Sequence, residues 1–290
     1  MSERLGVAII GTGTIANAHM RSLEHHAPAH VVAVYDVLHD RAEAFAQKWN
    51  IGVVASDLDK VLSRSDIDAV IVSTPPVAHK GPTIAALEAG KHVLCEKPFA
   101  FDPAEAEAMT ETAERVGKHL AVCSARQRVW AASRKAQELA STGALGDVYH
   151  VRSSAFRFRG RPGIDILRDV HWFIDYARAG GGALIDIGVY QIDALLWILG
   201  NPKVTSVLCS TKMGIGDPVA EPRVQDVEDH AVLMFTCEGG KSGILEITWS
   251  SNVANVDQFL VFGTKAGLKF NPLTMVAPGP YNPLRPDRKS

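Results

Sequence analysis

The sequence predicts an α/β protein in which an N-terminal doubly wound parallel sheet is joined to a C-terminal α+β domain with a mostly antiparallel sheet. Three observations carry that prediction. Apolar runs of strand length alternate with segments of helical periodicity as far as about Ser124, the rhythm of a parallel sheet with crossover helices. The first run, Leu5 to Ile10, passes directly into Gly11, Gly13 and Ala16, a G-x-G-x-x-A spacing at a strand-to-helix turn. Beyond Val204, apolar segments follow one another across short turns such as Gly239-Gly240, with no helix between them.

The elements follow in order. The first turn suits a dinucleotide: Gly11 allows the tight turn, Gly13 leaves room for a pyrophosphate, and small Ala16 lets the helix pack close to the strand. Phosphates would sit on the amides at that helix's N-terminus. Residues 15–26 read as the helix, and HVVAVYD, residues 30–36, as a second strand ending in an acid. Asp36 falls where such folds hold the adenosine ribose hydroxyls, and its charge favours NAD over NADP. A helix at 39–48, a short edge strand in IGVVAS, a helix in LDKVLSR and a strongly apolar strand at 68–74 come next. Pro75 and Pro76 stop that strand and open a helix through Glu88, with Gly90 at its end. KHVLCE, a helix from Pro103 to Val116 and HLAVCS then complete six strands. A first domain over residues 1–124 and a second over 125–290 are expected.

The second domain opens with a helix near Ala131 to Ala140, a long strand in DVYHVRSSAFRFR and a polar loop to about Asp169. An amphipathic helix over 183–199 precedes strands in VTSVLCSTK, DHAVLMFTCE, SGILEITWSS and QFLVFGT. Val232 and Met234 alternate with other apolar residues, so neither face of their strand is polar. Helices can cover one face and a second subunit the other, which predicts a homodimer or homotetramer.

At 290 residues, 47% hydrophobic and 21% charged, the chain can bury a large core. A formal net charge of -2 without blocks of like charge argues against nucleic acid and against a membrane surface as partners, leaving a small molecule. The charged N-terminus runs straight into a strand, and no apolar stretch approaches the ~20 residues of a membrane span. A cytoplasmic location is the expectation. Cys95, Cys123, Cys209 and Cys237 lack C-x-x-C spacing, so they read as buried thiols and no metal site is expected.

Strand five ends in Cys95-Glu96-Lys97-Pro98, and ligands of open α/β sheets sit at such carboxyl ends, which places Lys97 near a nicotinamide. The glycine turn, the acid after strand two, Thr74-Pro75-Pro76 with His79, and Glu96-Lys97-Pro98 together resemble the Gfo/Idh/MocA oxidoreductase family, which includes glucose-fructose oxidoreductase and inositol dehydrogenase. The stretch from Arg126 to Val151 is similar to the family's linker helix and first sheet strand, and residues 172–200 to its second signature. The resemblance implies a Rossmann domain binding NAD through Gly11, Gly13, Thr14, Ile15, Asp36, Thr74, Pro76, His79, Glu96, Lys97 and Arg128. It assigns Asp186 to substrate positioning and Tyr190 to proton transfer. Asp186, Tyr190 and Asp193 fall at i, i+4 and i+7, which puts them on one helical face. Lys97, His171, Asp186 and Tyr190 are the expected substrate contacts, with Lys97 and Tyr190 as a pair.

Three departures from the family pattern matter. Tyr190 stands where histidine is commoner, and a tyrosine, with a free pKa of ~10, donates a proton more readily than it removes one. Phe173 replaces an arginine that follows the tryptophan in many members, with Arg157, Arg159, Arg161 and Arg168 as replacements. The chain ends in a proline-rich tail from Pro272, where members commonly continue, so a short C-terminus is expected. The implied activity is hydride transfer between NAD and a hydroxyl or carbonyl carbon of a sugar, cyclitol or related polyol. Alternatives are a non-catalytic cofactor-binding regulator and an enzyme whose NAD never leaves, acting on two sugars or on a glycoside.

Overall fold

The computed structural model describes residues 4–26, 28–216 and 225–277 and divides into two compact units, Met1–Ser124 with Trp172–Gly180, and Ala125–His171 with Gly181–Ser290. In the first unit, β1 (Leu5–Ile10), α1 (Ala16–His26), β2 (Ala29–Tyr35), α2 (His39–Trp49), β3 (Val53–Val54) and α3 (Leu58–Leu62) form one wing. β4 (Ala69–Val72), a 3-10 turn at Pro76–Ala78, α4 (Lys80–Glu88), β5 (His92–Cys95), α5 (Pro103–Val116) and β6 (Leu120–Val122) form the other. The sheet runs β3-β2-β1-β4-β5-β6, with every pair parallel.

Central β1 must be apolar on both faces, and it feeds two cores. Ala8 and Ile10 pack with Val70, Val72, Ala86 and Leu87, whereas Val7 and Ile9 pack with Ala16, Met20 and Phe45. Side-chain caps start the helices where the sequence supplies them: Asp57 accepts from the Lys60 N–H, and Asp102 from the Glu105 N–H with Pro103 in the first turn. The strand order reverses between β1 and β4, which opens the switch-point crevice at their carboxyl ends.

The second unit begins within a 3-10 segment at Cys123–Val129, followed by α6 (Ala131–Ser141) and β7 (Val148–Phe156). The chain then returns to the first unit through a 3-10 turn at His171–Ile174 and the short α7 (Tyr176–Ala179). That return departs from the single boundary read in the sequence. Its anchor is Tyr176, whose ring packs edge-on against Phe101 at 6.4 Å. The helix expected over 183–199 opens as a π turn, Leu184–Gly188, before α8 (Val189–Ile198).

Strands β8 (Val204–Lys212), β9 (His230–Cys237), β10 (Ser242–Thr248), β11 (Val256–Gly263), β12 (Gly267–Lys269) and β13 (Thr274–Val276) complete a sheet ordered β13-β12-β11-β7-β10-β9-β8. All its pairs are antiparallel except β7 with β10. α8 lies on the face carrying Val151, Ser153, Leu245 and Ile247, where the Ser153 hydroxyl donates to Gln191 Oε1 at 2.8 Å. On the other face Leu208, Met234, Ile244, Arg152 and Leu260 form one row across five strands. Leu208 is 73% exposed and Met234 45%.

Three expectations need correction. Tyr176–Ile198 is apolar enough in length and composition to pass for a membrane span, yet it is divided into α7, the π turn and α8, and half of the apolar stretch is buried within the fold. Of the cysteines, Cys95 and Cys237 are buried, but Cys209 lies exposed on β8 and Cys123 is half-buried. The tail expected from Pro272 contains β13, and its remainder, residues 278–290, lies outside the described residues.

Candidate active site

Gly11 has φ +89°, and a Cβ there would lie 2.8 Å from the Ser73 and Thr74 backbone, so only glycine fits where β1 and β4 turn side by side. A Cβ on Gly13, in contrast, would meet nothing within 4 Å. The loop therefore presents an open cradle at the start of an eleven-residue helix, the geometry a pyrophosphate requires. Thr14 and Ile15 are exposed and form the turn into α1, where the N–H groups of Ala18 and His19 bond the Ile15 carbonyl. The residues present fit a dinucleotide.

Asp36, one residue past β2, is buried beside this loop. Its Oδ2 accepts from the Thr12 N–H at 2.8 Å and the Thr12 hydroxyl at 3.0 Å, and its Oδ1 from the Leu38 N–H at 2.9 Å. Arg41 closes on both oxygens at 2.7 and 2.8 Å. Burial pushes the carboxyl up, but the Thr12 and Leu38 N–H groups and then the Arg41 guanidinium outweigh it, holding Asp36 below the usual carboxylate range. The expected ribose ligand thus carries its own arginine.

At the carboxyl end of β5, Glu96 fastens the loop that carries Lys97. Its Oε1 lies 2.8 Å from His19 Nε2 of α1, and its Oε2 accepts from the Lys97 N–H at 3.0 Å. Burial raises this carboxyl, yet the His19 bond, the Lys97 N–H and the nearby positive charges leave it below its ordinary value. Lys97 is half-buried, with Nζ 5.9 Å from the centre of the Phe173 ring, which stacks on Trp172 at 3.9 Å. The Lys97-Pro98 peptide is cis. Among the described residues, His19, Glu96 and Cys123 bring donor atoms within 4.8 Å of one another, and the 2.8 Å bond already joins the first two.

His79, expected among the cofactor residues, is fully buried, with Nδ1 2.9 Å from the Pro98 carbonyl oxygen and Nε2 2.8 Å from that of Thr74. It ties the loop after β4 to the loop after β5. Burial lowers its pKa more than these carbonyls raise it. Pro76 is buried too, while Thr74 is half-exposed with its hydroxyl on the Ala78 carbonyl.

In the second unit, Asp186 lies in the π turn and accepts from the Trp249 indole N–H at 2.9 Å. Tyr190, one turn on, is 6% exposed. Arg128, expected among the cofactor residues, forks onto Asp193 at 2.6 and 2.7 Å. The residue that sequence reasoning passed over is Arg126, whose guanidinium carbon lies 3.8 Å from the centre of the Tyr190 ring. Its signal in the sequence is the pair of arginines that flank Gln127, of which the family resemblance points to Arg128 alone. His171 is half-buried, with Nδ1 3.2 Å from the Gly163 carbonyl oxygen.

A six-stranded parallel sheet of order 3-2-1-4-5-6 with a glycine cradle at the β1 turn defines an NAD-binding Rossmann domain, and with the mostly antiparallel second sheet it defines a class of two-unit oxidoreductases. The chain belongs to the Gfo/Idh/MocA family: residues 5–124 match its oxidoreductase family, NAD-binding Rossmann fold model and residues 133–269 its GFO/IDH/MocA C-terminal domain model. D-glucoside 3-dehydrogenase of Escherichia coli is 34% identical over 283 residues, 93% of this chain and 78% of that protein. Myo-inositol 2-dehydrogenase of Thermotoga maritima is 24% identical over 259 residues, 89% of this chain and 73% of that protein. Among solved structures, GenD2 from gentamicin A biosynthesis in complex with NAD superposes with a TM-score of 0.79 at 28% identity, covering 93% of this chain and 72% of that one. An oxidoreductase domain protein from Kribbella flavida gives 0.80 at 30%, covering 92% and 73%.

Proposed function

We propose that the protein is an NAD-dependent dehydrogenase acting on a CH–OH group of a sugar, cyclitol or related polyol. The observation that carries this reading is the anchoring of Lys97 at the carboxyl end of β5 by the Glu96 and His19 pair, beside a glycine cradle suited to a dinucleotide. The dehydrogenases of glucosides and inositol among its relatives support the substrate class. Bound NAD would accept or return the hydride. Lys97 and Tyr190 handle the hydroxyl proton, a neutral tyrosine donating it and a phenolate removing it, while Asp186 orients the substrate and His171 contributes a contact. Exposed Leu208 and Met234, with half-buried Ile244 in the same row, support assembly of two or more copies through that sheet face.

The experiment is turnover across a sugar and polyol panel for the parent, Lys97→Met, Tyr190→Phe and the double variant. Each single change should reduce kcat about 100-fold or more, the scale of a lost general acid or base. The double variant should cost little beyond the worse single change, because groups acting as a unit are non-additive. Tyr190→Phe keeps the ring's packing, so undiminished turnover in that variant refutes the tyrosine's role. Stoichiometric NAD binding with no turnover on any panel member points to a regulator instead.

A further inference from the structure

We propose that Arg126 is the positioning residue of the proton-transfer site, holding the Tyr190 ring beneath its guanidinium and favouring the phenolate form. This rests on the reading of Tyr190 as a proton carrier. A cation over an aromatic face is attracted by the ring's electron density, and deprotonation of the hydroxyl sends further negative charge into that ring. At 3.8 Å the guanidinium therefore stabilises the ionised form more than the neutral one. The contact lies wholly within the second unit, and the neighbouring arginine repeats it one turn along: Arg128 forks onto Asp193 and lies 5.6 Å from the Trp197 ring. The two arginines of the 3-10 segment thus engage residues 190, 193 and 197 of a single face of α8.

Two carboxylates share this face of the helix with Tyr190, and each accepts a hydrogen bond. Asp186 is bound by Trp249 and Asp193 by Arg128. On α6, Arg134, Lys135 and Glu138 are exposed, and Lys135 pairs with Glu138. On β7 and β10, Arg152 and Glu246 stand on the sheet face opposite α8. Lys97, which belongs to the first unit, is tested separately by Lys97→Met.

Arg126 is exposed on its outer side, so solvent screening sets the shift at the low end of the range for a close opposite charge, about one pH unit. In the direction of alcohol oxidation, the rising limb of the kcat profile should move about one unit alkaline in Arg126→Met, with turnover recovering at high pH and KM changing little. Arg126→Lys, which keeps the charge, should move it by less than half as much. A purely structural role for Arg126 lowers kcat equally at all pH values and overturns the proposal. Difference titration of phenolate absorbance between each holoenzyme and its Tyr190→Phe counterpart isolates Tyr190 without recourse to turnover. A Tyr190 midpoint unmoved by Arg126→Met and Arg126→Lys refutes the inference even if Tyr190→Phe is inactive. A midpoint that moves while Tyr190→Phe turns over like the parent shows that the guanidinium acts on the tyrosine but removes the catalytic reading, and the positioning role falls with it. Circular dichroism checks that each variant folds, and Arg126→Lys alone decides between the two roles if Arg126→Met does not.

Discussion

At Asp36 and Glu96, burial alone would drive each carboxyl toward its neutral form, and the donors around them reverse that direction. Ordinary values are ~3.9 for aspartate and ~4.3 for glutamate, and both groups lie lower in the fold. The unfolded chain then binds more protons as pH falls, so the stability these groups contribute is complete above about pH 5 and lost as pH drops through their folded values. Asp36→Asn and Glu96→Gln should each flatten the acid side of a Tm-against-pH curve. An acid side of parental steepness in both variants contradicts this. Arg41 makes cofactor choice a contest between neighbours, since buried Asp36 repels a 2'-phosphate while the half-exposed guanidinium attracts it. Calorimetry should give tighter binding of NAD than NADP, with Arg41→Ala widening the gap; tighter binding of NADP by the parent reverses the assignment.

Among the elements, the start of the π turn is held from a distance rather than by its own cap. Glu228, just before β9, accepts from the Gly182 N–H at 2.8 Å and the Leu184 N–H at 2.9 Å. These are charge-assisted bonds to helix-terminal N–H groups, so Glu228→Ala should destabilise the fold by about 1–3 kcal/mol, seen as a lower denaturant midpoint at unchanged slope. A midpoint within error of the parent excludes such a role. Most elements were legible because apolar runs and breakers coincide: Leu5 to Ile10 before Gly11, and Asp102-Pro103 opening α5. The π turn was not, because Leu184 to Gly188 has the same apolar content in either helix type. Nor could spacing separate Arg126 from Arg128, which lie two residues apart in one motif and differ only in what α8 places opposite them. The return of Trp172–Gly180 to the first unit was hidden for a related reason, since its partner Phe101 is remote in sequence.

For the molecule as a whole, the row Leu208, Met234, Ile244, Arg152 and Leu260 is apolar but for its arginine, and it lies on the sheet face opposite α8. Light scattering at micromolar concentration should find a dimer or tetramer, and Met234→Arg should shift it toward monomer by burying an unpaired charge. A monomeric parent contradicts the assembly. The same sheet places β7, made early, between β10 and β11, made late, so His150 meets Ser242 across 92 residues of chain. The first unit in turn lacks Trp172–Gly180 until well after its sixth strand. On the ribosome, then, the nucleotide-binding half leaves the exit tunnel before its last piece exists, and β7 emerges long before either neighbour. Synthesis order and assembly order diverge, which makes the interval between residues 156 and 242 the stretch of translation where a chaperone has the most unpaired edge to shield.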